Sequence, residues 1–223
     1  MRPAAASAVL GLALAVGAPT AWVLTRPEAA AGIPVGQALP APAPAAGAGT
    51  GTDTGSSGTG PTVLARDAAP QAARSAVPPD RISAPALGVD APVDAVGISP
   101  DGQMELPEDV SRVGWYRFGP EPGAGGSAVL AGHVDDREQG PGALFGLRDA
   151  AVGDELTVTD AAGTATRWRV VSRELITKQV LPVDRIFARD GAPRLTLITC
   201  GGPFLPEYRS YRDNVVVVAE PTP

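Results

Sequence analysis

The chain of 223 residues has one cysteine and one histidine, and its aromatics are few: three Trp, three Tyr and four Phe. All of those aromatics except Trp22 lie at Trp115 or beyond, so the stretch between Trp22 and Trp115 lacks the large side chains around which a core forms. A packed domain is therefore expected mainly in the C-terminal part. Basic charge is also scarce. From Asp80 onward 14 basic side chains stand against 21 acidic ones, a balance of −7. The basic footprint of a nucleic-acid-binding protein is thus absent, and an anionic substrate is disfavoured relative to a neutral or basic peptide.

Charge is missing altogether from Ala4 to Leu24, an apolar run preceded by Arg2 and followed by Arg26. Its length approaches the roughly 20 residues that a helix needs to cross a bilayer. Abundant Ala, together with Gly17, Pro19 and the small residues near Ala18 and Ala21, also suits a cleaved secretory signal. Length favours the anchor. Residues 1–26 are accordingly expected to be a membrane anchor or signal sequence that sends the rest of the chain outside the cytoplasm, as a single-pass membrane protein or, after cleavage, a secreted one.

That location sharpens the meaning of the lone cysteine. Structural cysteines outside the cytoplasm usually come in pairs, and an unpaired thiol there is exposed to oxidation. Its presence hints at chemistry, with a small buried hydrophobe as the bland alternative.

Residues 27–79 are dominated by Ala, Gly, Pro, Ser and Thr, including LPAPAPAAGAG and TGTDTGSSGTG. Such a composition buries too little apolar surface to offset the entropy of ordering, so a disordered linker is expected there. After Asp80 short β-branched runs appear at 127–132, 155–160, 167–174, 194–199 and 214–219, punctuated by Gly, Pro and Asp. This pattern predicts an all-β barrel or sandwich over residues 80–223, with turns at Pro100-Asp101-Gly102 and Ala161-Ala162-Gly163. One short helix is expected at 143–150, where Leu144, Leu147 and Ala151 recur at helical spacing.

Any Cys–His pair in this chain can only be His133 with Cys200, 67 residues apart. Each follows a strand-like run, where a rigid sheet presents side chains to a cleft. A thiol that attacks a carbonyl must act as thiolate, and a neighbouring imidazole can then protonate the leaving amine. A cation suits the oxyanion that forms. Arg212, just before a strand-like run, is the first candidate and Arg209 the second.

The runs AGHVD (131–135), TLITC (196–200) and YRDNVVV (211–217), in that order, closely resemble the His, Thr-Leu-x-Thr-Cys and Arg-strand motifs of sortases. The GHVD context and the continuation CGGPF look most like class F sortases of actinobacteria. The resemblance covers roughly residues 80–219 and implies an eight-stranded β-barrel with one or two short helices. It also implies cleavage of a Leu-Pro-x-Thr-Gly-like sorting signal through a thioacyl-enzyme, with transfer to an amine on the cell wall or a pilin. It assigns Cys200 as nucleophile, His133 as general acid/base, Arg212 as oxyanion and carbonyl clamp, and Thr199 to substrate positioning. No cofactor is expected, and no metal, because no clustered acidic set matches the calcium site that some sortases carry near the groove. Asp135 and Asp136 read as turn residues that could also orient the imidazole, and Trp115 and Tyr116 as core. Plain hydrolysis and a non-catalytic, wall-associated β-domain stay open. An L,D-transpeptidase is disfavoured, because no histidine lies near Cys200 in sequence.

Overall fold

Alternating apolar residues need two surfaces to fill, and in this protein both exist. The computed structural model describes residues 29–41 and 77–223. In chain order the elements are β1 (Ala30–Gly32), α1 (Val35–Ala38), β2 (Pro79–Ala84), β3 (Val89–Val96), β4 (Val113–Tyr116), β5 (Ser127–Ala131), β6 (Asp135–Asp136), β7 (Gly140–Pro141), β8 (Glu155–Asp160), β9 (Ala165–Thr177), α2 (Val183–Ile186), β10 (Arg194–Leu205) and β11 (Ser210–Pro221). Strands run side by side in the order β9, β11, β10, β5, β4, β3, β2, β8, and β8 pairs back onto β9. The result is the expected eight-stranded barrel, whose closure pairs most of the sheet edge. Two neighbouring pairs, β3–β4 and β5–β10, are parallel.

The run from Val215 to Ala219 shows why the strands read as nearly continuous apolar sequence. Val215, Val217 and Ala219 point into the barrel, where they meet Leu130, Trp168, Leu195 and Leu197. Val216 and Val218 point outward, yet they are also buried, against Val129 and Ile186. A strand covered on both faces loses its polar alternation.

Part of that outer cover comes from a segment expected to be disordered. Residues 29–41 fall inside the linker inferred from composition, but they lie on the barrel as an ordered strap. Strand β1 pairs antiparallel with Ser172–Glu174 of β9. β9 is far longer than β8, whose pairing ends at Arg169, and β1 covers part of the edge left beyond it. Val35, Ala38 and Leu39 are buried in the outer cluster. Arg194 Nε donates to the Ala38 carbonyl at 2.7 Å, and Arg185 reaches the carbonyls of Leu39 and Pro40. Composition failed here because three apolar side chains and a row of backbone hydrogen bonds suffice when a preformed surface receives them. Of the rest of the linker, residues 27–28 and 42–76 lie outside the described residues, as does the apolar segment 1–26, and the linker's last residue, Pro79, already begins β2. Among the described residues no helix is long and apolar enough to cross a membrane.

The helix expected at 143–150 is a 3-10 segment, Phe145–Asp149. Gly146 packs on the Leu87 carbonyl so tightly that a Cβ would lie 2.1 Å from its oxygen. Trp115 is in the core as expected, whereas Tyr116 belongs to the outer surface, edge-on to Phe118 and Phe187.

Candidate active site

The nucleophile candidate is set by the pairing of β5 with β10. Every registered pair, from Ser127 with Arg194 to Ala131 with Ile198, joins residues 67 apart in sequence. His133 and Cys200 have the same separation. Two further bonds prolong the pairing beyond Ala131. The Gly132 N–H donates to the Ile198 carbonyl at 3.1 Å, and the Thr199 hydroxyl donates to the Gly132 carbonyl at 2.8 Å. β5 ends at Ala131, so His133 lies in the loop two residues beyond the last registered pair, just as Cys200 lies two residues beyond Ile198. Thr199, 3% exposed, thus ties together the two segments that carry these side chains. Gly142 closes the loop behind His133, where a Cβ would lie 2.2 Å from the His133 carbonyl oxygen.

On the other side of β10, Cys200 is registered opposite Asn214 of β11. Arg212 lies two residues before Asn214, so strand alternation gives it the same face as Cys200. Its guanidinium grips the adjacent carboxylate, with Nε donating to Asp213 Oδ1 at 2.9 Å and Nη2 to Oδ2 at 2.8 Å. The pair is lopsided. The Arg212 side chain is 51% exposed and that of Asp213 only 2%. Arg212 holds the Asp213 carboxyl below the ordinary value of 3.8, with help from the Thr177 hydroxyl and against the opposing effect of burial. The carboxylate lies against Gly202, whose left-handed φ of +72° and lack of a Cβ make room for it. Arg209 sits at the exposed turn between β10 and β11, with φ +48°.

Two clefts meet at the cysteine, sharing only Thr199 and Cys200 in their linings. The larger, about 650 Å³, runs along the outer face past Ile98, Met104, Tyr116, Leu181, Phe187 and Ile198. The smaller, about 260 Å³, includes Ala29, Asp135, Arg148 and Tyr211. Asp135 accepts a 2.6 Å hydrogen bond from the Tyr211 hydroxyl, which pushes that phenol up to about 12. Asp136 caps the turn after it, accepting from the backbone N–H groups of Gln139 and Glu138, and these bonds hold its carboxyl below the ordinary value.

A residue absent from the sequence expectation also reaches the thiol. Lys178, immediately after β9, places Nζ 3.7 Å from Cys200 Sγ and donates to Ser210 Oγ at 2.8 Å. No motif signals it. A basic side chain in the turn after a strand is ordinarily a solvated charge, although lysine's occurring only once in the chain was visible. The arrangement offers a half-buried thiol at the junction of two clefts with the Lys178 ammonium beside it, while neither His133 nor Arg212 belongs to the lining of either cleft.

The sortase domain family model matches residues 82–222. No curated protein matches the chain in sequence. Among solved structures, a lid mutant of sortase A from Corynebacterium diphtheriae aligns at 19% identity over 69% of this chain and 74% of that one, with a TM-score of 0.50. Sortase C-1 from Actinomyces oris aligns at 20% identity over 64% of this chain and 73% of that one, with a TM-score of 0.49.

Proposed function

Because the chain belongs to the sortase family, we propose that it is a membrane-tethered, extracytoplasmic cysteine transpeptidase most like the class F sortases. It cleaves a Leu-Pro-x-Thr-Gly-like sorting signal and transfers the acyl group to an amine on the cell wall or a pilin. The observation that supports this reading is the shared offset of 67: the only histidine and the only cysteine each lie two residues beyond the last registered β5–β10 pair, Ala131 with Ile198.

In this reading the peptide lies in the larger, mostly apolar cleft and presents its scissile carbonyl at Cys200. The thiolate attacks the carbonyl carbon, a C–S bond forms, and the carbonyl π electrons move to oxygen. His133 donates its proton to the departing amine as the C–N bond breaks, leaving a thioester and a neutral imidazole. The incoming amine then attacks the thioester, loses its proton to His133, and the thiolate departs. Arg212, its fork fixed by Asp213, has remaining N–H donors for the substrate carbonyls and the oxyanion. Thr199 is a positioning residue, because its hydroxyl is committed to Gly132.

The test uses the full-length chain in detergent with fluorogenic Leu-Pro-x-Thr-Gly peptides, with and without triglycine. The expected result is cleavage, incorporation of the amine into product, and loss of both in Cys200→Ala. Equal cleavage by that variant, or no cleavage of a broad peptide panel, would overturn the proposal.

A further inference from the structure

Lys178 is the only lysine among 18 basic side chains, and its ammonium is 3.7 Å from the only cysteine. Everywhere else the chain uses arginine for positive charge. The placement is built. Thr177, the residue before it, is registered opposite Asp213 and hydrogen-bonds that carboxylate, so the end of β9 is pinned to β11. Ser210 accepts from Nζ at 2.8 Å and fixes the ammonium from the far side. Lys178 lines the larger cleft together with Cys200 and Asn214, on the side from which a peptide carbonyl would arrive.

The cation that the family motif supplies is occupied differently. Arg212 spends two of its five donors on the buried Asp213, and its side chain is half exposed. The ammonium at the sulfur belongs to Lys178. From these positions we infer that Lys178 is a catalytic residue, its charge facing Cys200 as thiolate and then the oxyanion of the tetrahedral intermediate. This refines the role proposed for Arg212, which keeps the substrate-carbonyl clamp while the oxyanion passes to Lys178.

The chemistry follows from distance. When Sγ bonds the carbonyl carbon, the oxyanion is two bonds from sulfur, within the reach of a group already at 3.7 Å from it. A compact ammonium with three donors can keep the Ser210 bond and still point a second N–H at that oxygen. On collapse the electron pair returns to the carbonyl, the C–N bond breaks, and the ammonium keeps its proton, which separates its role from that of His133.

The assignment rests on the transpeptidase reading, and the test is divided so that the two fail separately. Lys178→Met and Lys178→Arg are compared with the wild type in the full chain, after checking that each unfolds at the wild-type temperature. With the Leu-Pro-x-Thr-Gly peptide, Lys178→Met is expected to lose about 10²–10³-fold in kcat at nearly unchanged KM, the scale of losing one oxyanion donor. Lys178→Arg is expected to recover part of it. With iodoacetamide, which reports the thiolate without any peptide, Lys178→Met is expected to slow Cys200 alkylation roughly tenfold at neutral pH. If the wild type cleaves no peptide, the transpeptidase reading fails and the alkylation rates alone decide on Lys178. Wild-type kcat in Lys178→Met, or an unchanged alkylation rate, would overturn the assignment. A loss of activity confined to KM would overturn it as well.

Discussion

At the scale of single residues, the three motif residues stood out in the sequence because each follows or precedes a strand-like run. What the residues do with their neighbours was not legible. The pairing of Arg212 with Asp213 follows from adjacency, but the burial of Asp213 depends on Gly202 leaving a space that only the folded hairpin defines. Gly202→Ala is therefore expected to cost about 1–3 kcal/mol, through both the positive φ and the clash with the carboxylate, and denaturant unfolding would measure it. Asp213 also sets a pH dependence. Its folded-state carboxyl lies below 3.8, so the stability it adds is fully present above that ordinary value and is lost as the pH falls through the lower one. Wild type and Asp213→Asn should thus converge in denaturant midpoint as the pH falls below about 4. A gap that widens toward acid would contradict the pairing. Tyr211 offers a spectroscopic check. The phenolate absorbance lost on Tyr211→Phe should be the part that titrates near 12, because the bond donated to Asp135 holds the phenol protonated.

At the scale of elements, strands 155–160 and 127–131 were readable to within a residue, since β-branched runs between turn residues have few other conformations. β2 and β3 carry Asp and Pro, β4 is only four residues, and nothing in the sequence singled them out. The strap was hidden for a different reason. Its residues have almost no propensity of their own, and its order comes from β9, α2 and β11. If the strap is part of the barrel's cooperative unit, Leu39→Ala should lower stability by about 2–4 kcal/mol, the usual result of truncating a buried leucine. Urea unfolding followed by tryptophan fluorescence would show it. An unchanged midpoint would mean that the strap is only loosely attached. The strap also brings Ala29 to the smaller cleft, so an element expected to act as a distant tether contributes to the surroundings of the nucleophile.

At the scale of the whole molecule, the closed barrel explains how residues from distant stretches of sequence form one site. Parallel pairing of β5 with β10 sets the segments that lead into His133 and Cys200 side by side, antiparallel pairing of β10 with β11 puts Asn214 opposite Cys200, and the end of β9 adds Lys178. The larger cleft draws on the 98–106 loop, β4 and the segment around α2, none of which could be joined by reading along the chain. Its rim residue Ile98 is 49% exposed, so Ile98→Asp should leave the fold and the alkylation of Cys200 intact while raising the peptide's KM roughly tenfold.

The central claim is that a peptide carbonyl becomes bonded to Cys200, and the mass of the intact protein tests it most directly. After incubation with a Leu-Pro-x-Thr-Gly peptide and no added amine, the account predicts a mass increase equal to the acyl fragment ending at Thr. That increase should map to Cys200, be released by hydroxylamine and be absent from Cys200→Ala. Product formation with no adduct on Cys200 under rapid acid quench, and the same products from Cys200→Ala, would contradict it.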